Sequence, residues 1–133
     1  MAMIKLENTE VKFDSFVALK EINIDIQEGE FFTFLGPSGC GKTTTLRTIT
    51  GFIKPTKGRV YVRDVDITDM PVEKRNVGMV FQSYALYPTM SVYENIAFGL
   101  KVQKMAQDKI REKVLSMAEK VELSEDQLRK KVS

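Results

Sequence analysis

The sequence contains no histidine. Histidine metal ligands, a Ser-His-Asp triad and imidazole general-base chemistry are therefore excluded within these residues. A single cysteine, Cys40, rules out an internal disulfide. It lies in a glycine-rich stretch whose geometry asks for a small residue, so it reads as a filler and not as a nucleophile. No run of about 18 apolar residues occurs, so no bilayer-spanning helix is expected. A charge, Lys5, precedes any apolar run of signal-peptide length. The expectation is a cytoplasmic protein whose membrane association, if any, comes through a partner. Nor is there a strong basic excess. Twenty Lys and Arg stand against eighteen Asp and Glu, which argues against a nucleic-acid partner. Internal repeats and low-complexity segments are absent. The length of 133 residues, 43% apolar and 29% charged, suits one globular domain with one core.

What is present alternates between strand-like and helix-like patterning. Ile4 to Leu6, Glu10 to Phe13 and Leu19 to Ile26 mix apolar and polar residues and read as short strands. Ile22, Ile24 and Ile26 form one half-buried face. Phe31 to Leu35 is a nearly continuous apolar run, the pattern of a strand buried on both faces. A helix is predicted over Lys42 to Thr50, closed by Gly51. Arg59 to Val62 and Val65 to Ile67 read as a hairpin. A charged loop, Glu73-Lys74-Arg75, precedes another apolar strand over Val77 to Phe81. Ser91 and Glu94 make a capping box opening a helix to about Phe98 and Gly99. Gln107 to Val121 is amphipathic, with Ile110, Val114, Met117, Ala118 and Val121 on one stripe. Ser124 to Gln127 starts a further helix.

Between the apolar run and the first helix lie Gly36, Pro37, Ser38, Gly39, Cys40, Gly41, Lys42 and Thr43. They match G-x-x-x-x-G-K-[ST], a phosphate-binding loop. Glycines take backbone angles that side chains forbid and let amides approach phosphate oxygens. Lys42 sets a positive charge against the β- and γ-phosphates, and Thr43 offers a hydroxyl to Mg2+. Thr44 is placed on the α-phosphate side. The helix that follows aims its dipole at the same anion. The strand-loop-helix context predicts a nucleoside triphosphate bound with Mg2+.

With the loop in place, Asn76 to Pro88 resembles the glutamine loop of ABC-transporter ATPases, as do Met90 to Leu100 and Asp69 to Arg75. The chain looks like the branch that powers importers of sugars, polyamines and ferric iron. The resemblance implies an α/β fold: a P-loop NTPase core, an antiparallel β subdomain and the start of a helical subdomain. Residues 1–88 would carry the first two parts with the glutamine loop, and 89–133 part of the third. It implies ATP as ligand. Phe13 would stack on adenine, with Phe16 its competitor. Gln82 would touch Mg2+ and the attacking water, a catalytic role shared with Lys42. The Gln82–Pro88 region would dock on transmembrane permease subunits, placing the protein on the inner face of the membrane. A second ATPase subunit would complete a dimer.

Two look-alikes are set aside. Val60 to Asp64 ends a strand on an aspartate, yet Arg63 interrupts it and the hairpin context argues against a Mg2+ role for Asp64. Leu123-Ser-Glu-Asp-Gln127 lacks the glycines of the family's L-S-G-G-Q signature and reads as a helix cap. The chain departs from the family by ending before that signature, the aspartate-plus-glutamate strand and the histidine loop. Hydrolysis is implied for an intact parent, while these residues are expected to bind nucleotide without efficient turnover. The missing strands would leave Phe31 to Leu35 as an unpaired edge, so self-association is expected. The other readings are a non-hydrolytic nucleotide or phosphate module and an unrelated P-loop kinase. A kinase would need an arginine-rich lid, and Arg129-Lys130-Lys131 looks like a solvated helix face.

Overall fold

The computed structural model describes residues 2–37, 39 and 41–132. Two compact units divide the chain between Met79 and Val80. The single core expected from length is thus replaced by separate sets of buried residues. Bulk composition averages over both units and carries no boundary.

In the first unit, β1 (Ala2–Phe13) and β2 (Phe16–Gln27) form a long antiparallel hairpin. Three short strands were expected; two long ones form, because the break near Asn8 is absorbed as an irregularity. Asn8 takes a left-handed φ of 45°, which asparagine tolerates. The register against β2 shifts there, between Leu6 and Thr9. Its N–H donates to Asn23 Oδ1 at 2.9 Å, and Asn23 Nδ2 donates back to Asn8 Oδ1 at 3.2 Å. The side-chain pair thus supplies bonding beside the irregular ladder. β3 (Lys57–Val62) and β4 (Val65–Asp66) form the expected second hairpin. Arg63 and Asp64 at its tip both have positive φ, 49° and 62°, the pattern of a type I′ turn. The sheet order is β2-β1-β3-β4, and Leu6, Val11, Leu19 and Val60 are buried in it. Helix α1 (Lys42–Thr50) packs against β2.

Two expectations fail. Phe31 to Leu35 and Val77 to Phe81 form no strand. Phe31 is 95% exposed, Leu35 90% and Val80 85%. A strand buried on both faces needs neighbours in its sheet and layers above and below. The described strands pair only among themselves, so neither apolar run gains a strand neighbour.

The second unit is helical. α2 (Val92–Val102) opens on the expected box: Glu94 N–H donates to Ser91 Oγ at 3.1 Å, and Ser91 N–H to Glu94 Oε2 at 2.7 Å. It passes through Gly99 instead of stopping there, ending at Gln103 before Lys104 turns left-handed at φ 58°. α3 (Gln107–Lys120) buries Ile110, Val114 and Ala118, while Met117 and Val121 face out. The contact with α2 is therefore narrower than the five-residue stripe. α4 (Glu125–Arg129) starts on a second capping box, Ser124 with Gln127, so Leu123 to Gln127 is indeed a cap. Leu128 joins Ala97, Ile110, Val114 and Ala118 in the core. Among the described residues no helix is long and apolar enough to cross a membrane.

Candidate phosphate-binding site

The loop is held against the hairpin at Gly41. Its φ is 97°, and a Cβ there would lie 2.7 Å from Leu19 Cδ2 and 3.4 Å from the Ala18 carbonyl oxygen. Glycine is thus required twice, for backbone angle and for close approach to β2. Gly39 is also left-handed, at φ 84°. Gly36 and Pro37 are exposed; Ser38 and Cys40 lie outside the described residues. Lys42 Nζ donates to the Gly36 carbonyl oxygen, so the ammonium closes back over the loop it serves.

α1 begins directly behind. Thr45 N–H donates to the Gly41 carbonyl oxygen at 2.9 Å. By helix geometry the amides ahead of it lack an intrahelical acceptor. Gly41 offers no side-chain cap and the first turn carries no acidic residue, so neither competes with an incoming anion. Thr43 is exposed at this end and Thr44 is half-buried beside it. Amide donors, a lysine and a hydroxyl together fit a polyphosphate with a hard divalent cation, whose usual ligands are oxygens. Among the described residues no cluster of three or more His, Cys, Asp or Glu could hold a metal by itself.

The far end of α1 is held by a residue that the sequence places in a charged loop. Arg75 is buried, 5% exposed. Its Nη1 donates to the carbonyl oxygens of Thr48 and Ile49 at 3.0 and 3.1 Å, in the helix's last turn. Nε reaches Met70 O at 2.8 Å and Nη2 reaches Thr68 O at 3.2 Å. Burial pulls its pKa down from the ordinary arginine value, with Asp69 opposing, yet a guanidinium stays charged. Gly51, the C-cap at φ 98°, leaves room for it: a Cβ there would lie 2.6 Å from Arg75 Nε.

Phe13 and Phe16 pair across the Asp14-Ser15 turn at the tip of the same hairpin whose β2 supports Gly41. They are 46% and 65% exposed. Both are available as aromatic platforms. Asp64 sits exposed at the tip of the β3–β4 hairpin.

Gln82 belongs to the second unit, in an exposed turn over 82–85. Tyr84 and Ala85 both have positive φ, 64° and 50°, uncommon for residues with side chains. Tyr84, Leu86 and Tyr87 are exposed. Asn95 of α2 pins this stretch: its Oδ1 accepts from Tyr87 N–H at 2.8 Å, and its Nδ2 donates to Tyr87 O at 3.1 Å. The Tyr87 and Phe98 rings pack with centroids 4.7 Å apart and planes tilted by 42°. Neither Arg75 nor Asn95 carries a local pattern that announces its role.

The sequence profile of the family described as ABC transporter matches residues 19–133. The chain is 53% identical over 121 residues to the spermidine/putrescine import ATP-binding protein PotA of Acetivibrio thermocellus, covering 91% of this chain and 34% of that protein. It is 45% identical over 119 residues to the osmoprotective compounds uptake ATP-binding protein GgtA of Synechocystis, covering 90% and 33%. It thus spans about a third of the length of these relatives. Among solved structures it is similar to a dimeric post-hydrolysis state of an ATP-binding cassette bound to ADP and Pi. The TM-score is 0.83 at 32% identity, covering 98% of this chain and 62% of the other.

Proposed function

The chain belongs to the ABC transporter family, and from that premise we propose that it supplies the triphosphate-binding part of an importer's ATP-binding subunit. The observation that carries this reading is the uncapped start of α1 behind Gly41 and Lys42, an anion seat with a cation beside it. In this reading residues 36–44 hold the phosphates of ATP, and Thr43 and Gln82 contact Mg2+. Phe13 carries the adenine, with Phe16 as the competing platform. Residues 1–88 form the nucleotide side and 89–133 part of the helical side. Bound Mg2+ would neutralise phosphate charge, and Lys42 with the loop amides would stabilise the charge that builds on the γ-phosphate.

The exposed left-handed stretch at Tyr84 and Ala85 supports a docking surface for permease subunits, because strain of this kind gathers at functional contacts. The protein would then lie on the inner face of the membrane, paired with a second ATPase subunit, as the dimeric solved cassette supports. Similarity to spermidine/putrescine import proteins favours a polyamine as cargo, and the osmoprotectant relative keeps other small solutes in play. Hydrolysis belongs to the whole protein. These residues, which contain no L-S-G-G-Q motif, bind without efficient turnover.

Titration of the chain with MgATP tests the reading. Replacing Lys42 removes a charge-assisted contact of about 1.5–3 kcal/mol, so Lys42→Ala should bind about tenfold more weakly or worse. Phosphate release by the two should be indistinguishable. Equal MgATP affinity of the two, or no binding by the unaltered chain, would overturn the proposal.

A further inference from the structure

We propose that Arg75 is a positioning residue for the phosphate loop, holding α1 by its last-turn carbonyls and so fixing where the free amides at its other end point. The inference rests on the nucleotide-binding reading and deepens it.

α1 is only nine residues long, and Thr43, Thr44, Thr45, Thr48 and Thr50 make up over half of it. Threonine is a poor helix former. Three of these hydroxyls bond back to the carbonyl four residues earlier: Thr45 to Gly41, Thr48 to Thr44, and Thr50 to Leu46, at 2.7, 2.7 and 3.1 Å. Such bonds satisfy the hydroxyls and tend to bend a helix. A short helix of this kind takes its direction from its anchors. At the front the anchor is Gly41 against Leu19 and Ala18. At the rear it is the Arg75 fork.

That fork is specific. No carboxylate lies within ion-pair distance of the guanidinium among the described pairs, so its hydrogen bonds run to four main-chain oxygens. Two oxygens belong to the last turn of α1, where a cation also meets the negative end of the helix dipole. The other two, Thr68 O and Met70 O, belong to the segment after β4, itself tied to β3 by Val60 N–H to Thr68 Oγ1 at 2.9 Å. Arg75 therefore references the phosphate-loop helix to the sheet through bonds on both sides. Lysine could supply the charge, but not five donors in a rigid plane.

Coupling between sites is reciprocal, so a ligand that needs α1 correctly aimed must also tighten the Arg75 anchor. The test uses the 133-residue chain with MgATP and with inorganic tripolyphosphate, which has no base. In nitrogen-edited NMR, the Arg75 side-chain N–H signals should exchange more slowly with solvent once either ligand saturates the loop. Arg75→Met, compared at a temperature where circular dichroism shows both chains folded, should bind both ligands about tenfold more weakly, and Arg75→Lys should recover part of the loss. Unchanged Arg75 N–H exchange at saturation overturns the inference, and so does a folded Arg75→Met with unaltered affinity. Should Arg75→Met not fold, the exchange measurement decides alone. Absence of binding by the unaltered chain would instead bring down the nucleotide reading, and the inference with it.

Discussion

Phe13 and Phe16 differ little in chemistry, and both stand at the tip of one hairpin. What separates them experimentally is the base. An aromatic that stacks on adenine contributes about 1–3 kcal/mol to ATP affinity and nothing to a ligand without a base. Phe13→Ala should therefore weaken MgATP and leave inorganic tripolyphosphate unaffected, while Phe16→Ala should spare both. The reverse pattern, read by calorimetry, would move the role to Phe16. The loop residues were legible in the sequence because each answers a local demand, such as the left-handed, crowded backbone that admits only glycine at Gly41. Arg75 and Asn95 were not. Arg75 bonds Thr48 and Ile49, which lie far from it along the chain. Asn95 looks like any polar helical residue until Tyr87 is seen returning to it.

At the scale of elements, helices declared themselves because caps and periodicity are local. The Ser91–Glu94 box formed as the sequence specified, and it carries a pH signature. The Ser91 backbone N–H holds the Glu94 carboxyl below its ordinary value of 4.5. A carboxylate with a depressed folded-state pKa stabilises the fold fully above its unfolded value and loses that contribution as pH falls through the folded one. Urea unfolding midpoints should thus decline on acidification below about pH 4.5, less steeply in Glu94→Gln; parallel declines would remove the box as a cause. Within α3 the buried face is narrower than the apolar stripe, since periodicity cannot say how wide the covering surface is. Val114 is fully buried and Met117 is 48% exposed. Val114→Ala should cost about 2 kcal/mol and Met117→Ala under about 0.5, so equal losses in denaturant melts would contradict the packing described. The apolar runs at 31–35 and 77–81 show the opposite limit. Composition makes them buried strands, but a strand exists only where another edge pairs with it, and pairing is not a local property.

For the whole molecule, the uncovered run matters more than the failed strand assignment. Phe31 and Leu35 present nearly all of their side-chain surface to water, in a segment that forms no strand. Burying one such side chain is worth about 1.5–3 kcal/mol. Two copies covering each other's 31–35 segments would bury four of them, enough to offset part of the cost of association. Backbone hydrogen bonding would add to this if the two segments paired as strands on contact. The chain should accordingly associate with rising concentration, followed by light scattering. The double variant Phe31→Lys, Leu35→Glu should shift that onset to higher concentration while leaving the β1–β2 hairpin folded, because neither side chain is part of the buried set around Leu6, Val11 and Val60. A monodisperse monomer at high concentration, or association unchanged in the double variant, would show that this surface drives no self-contact.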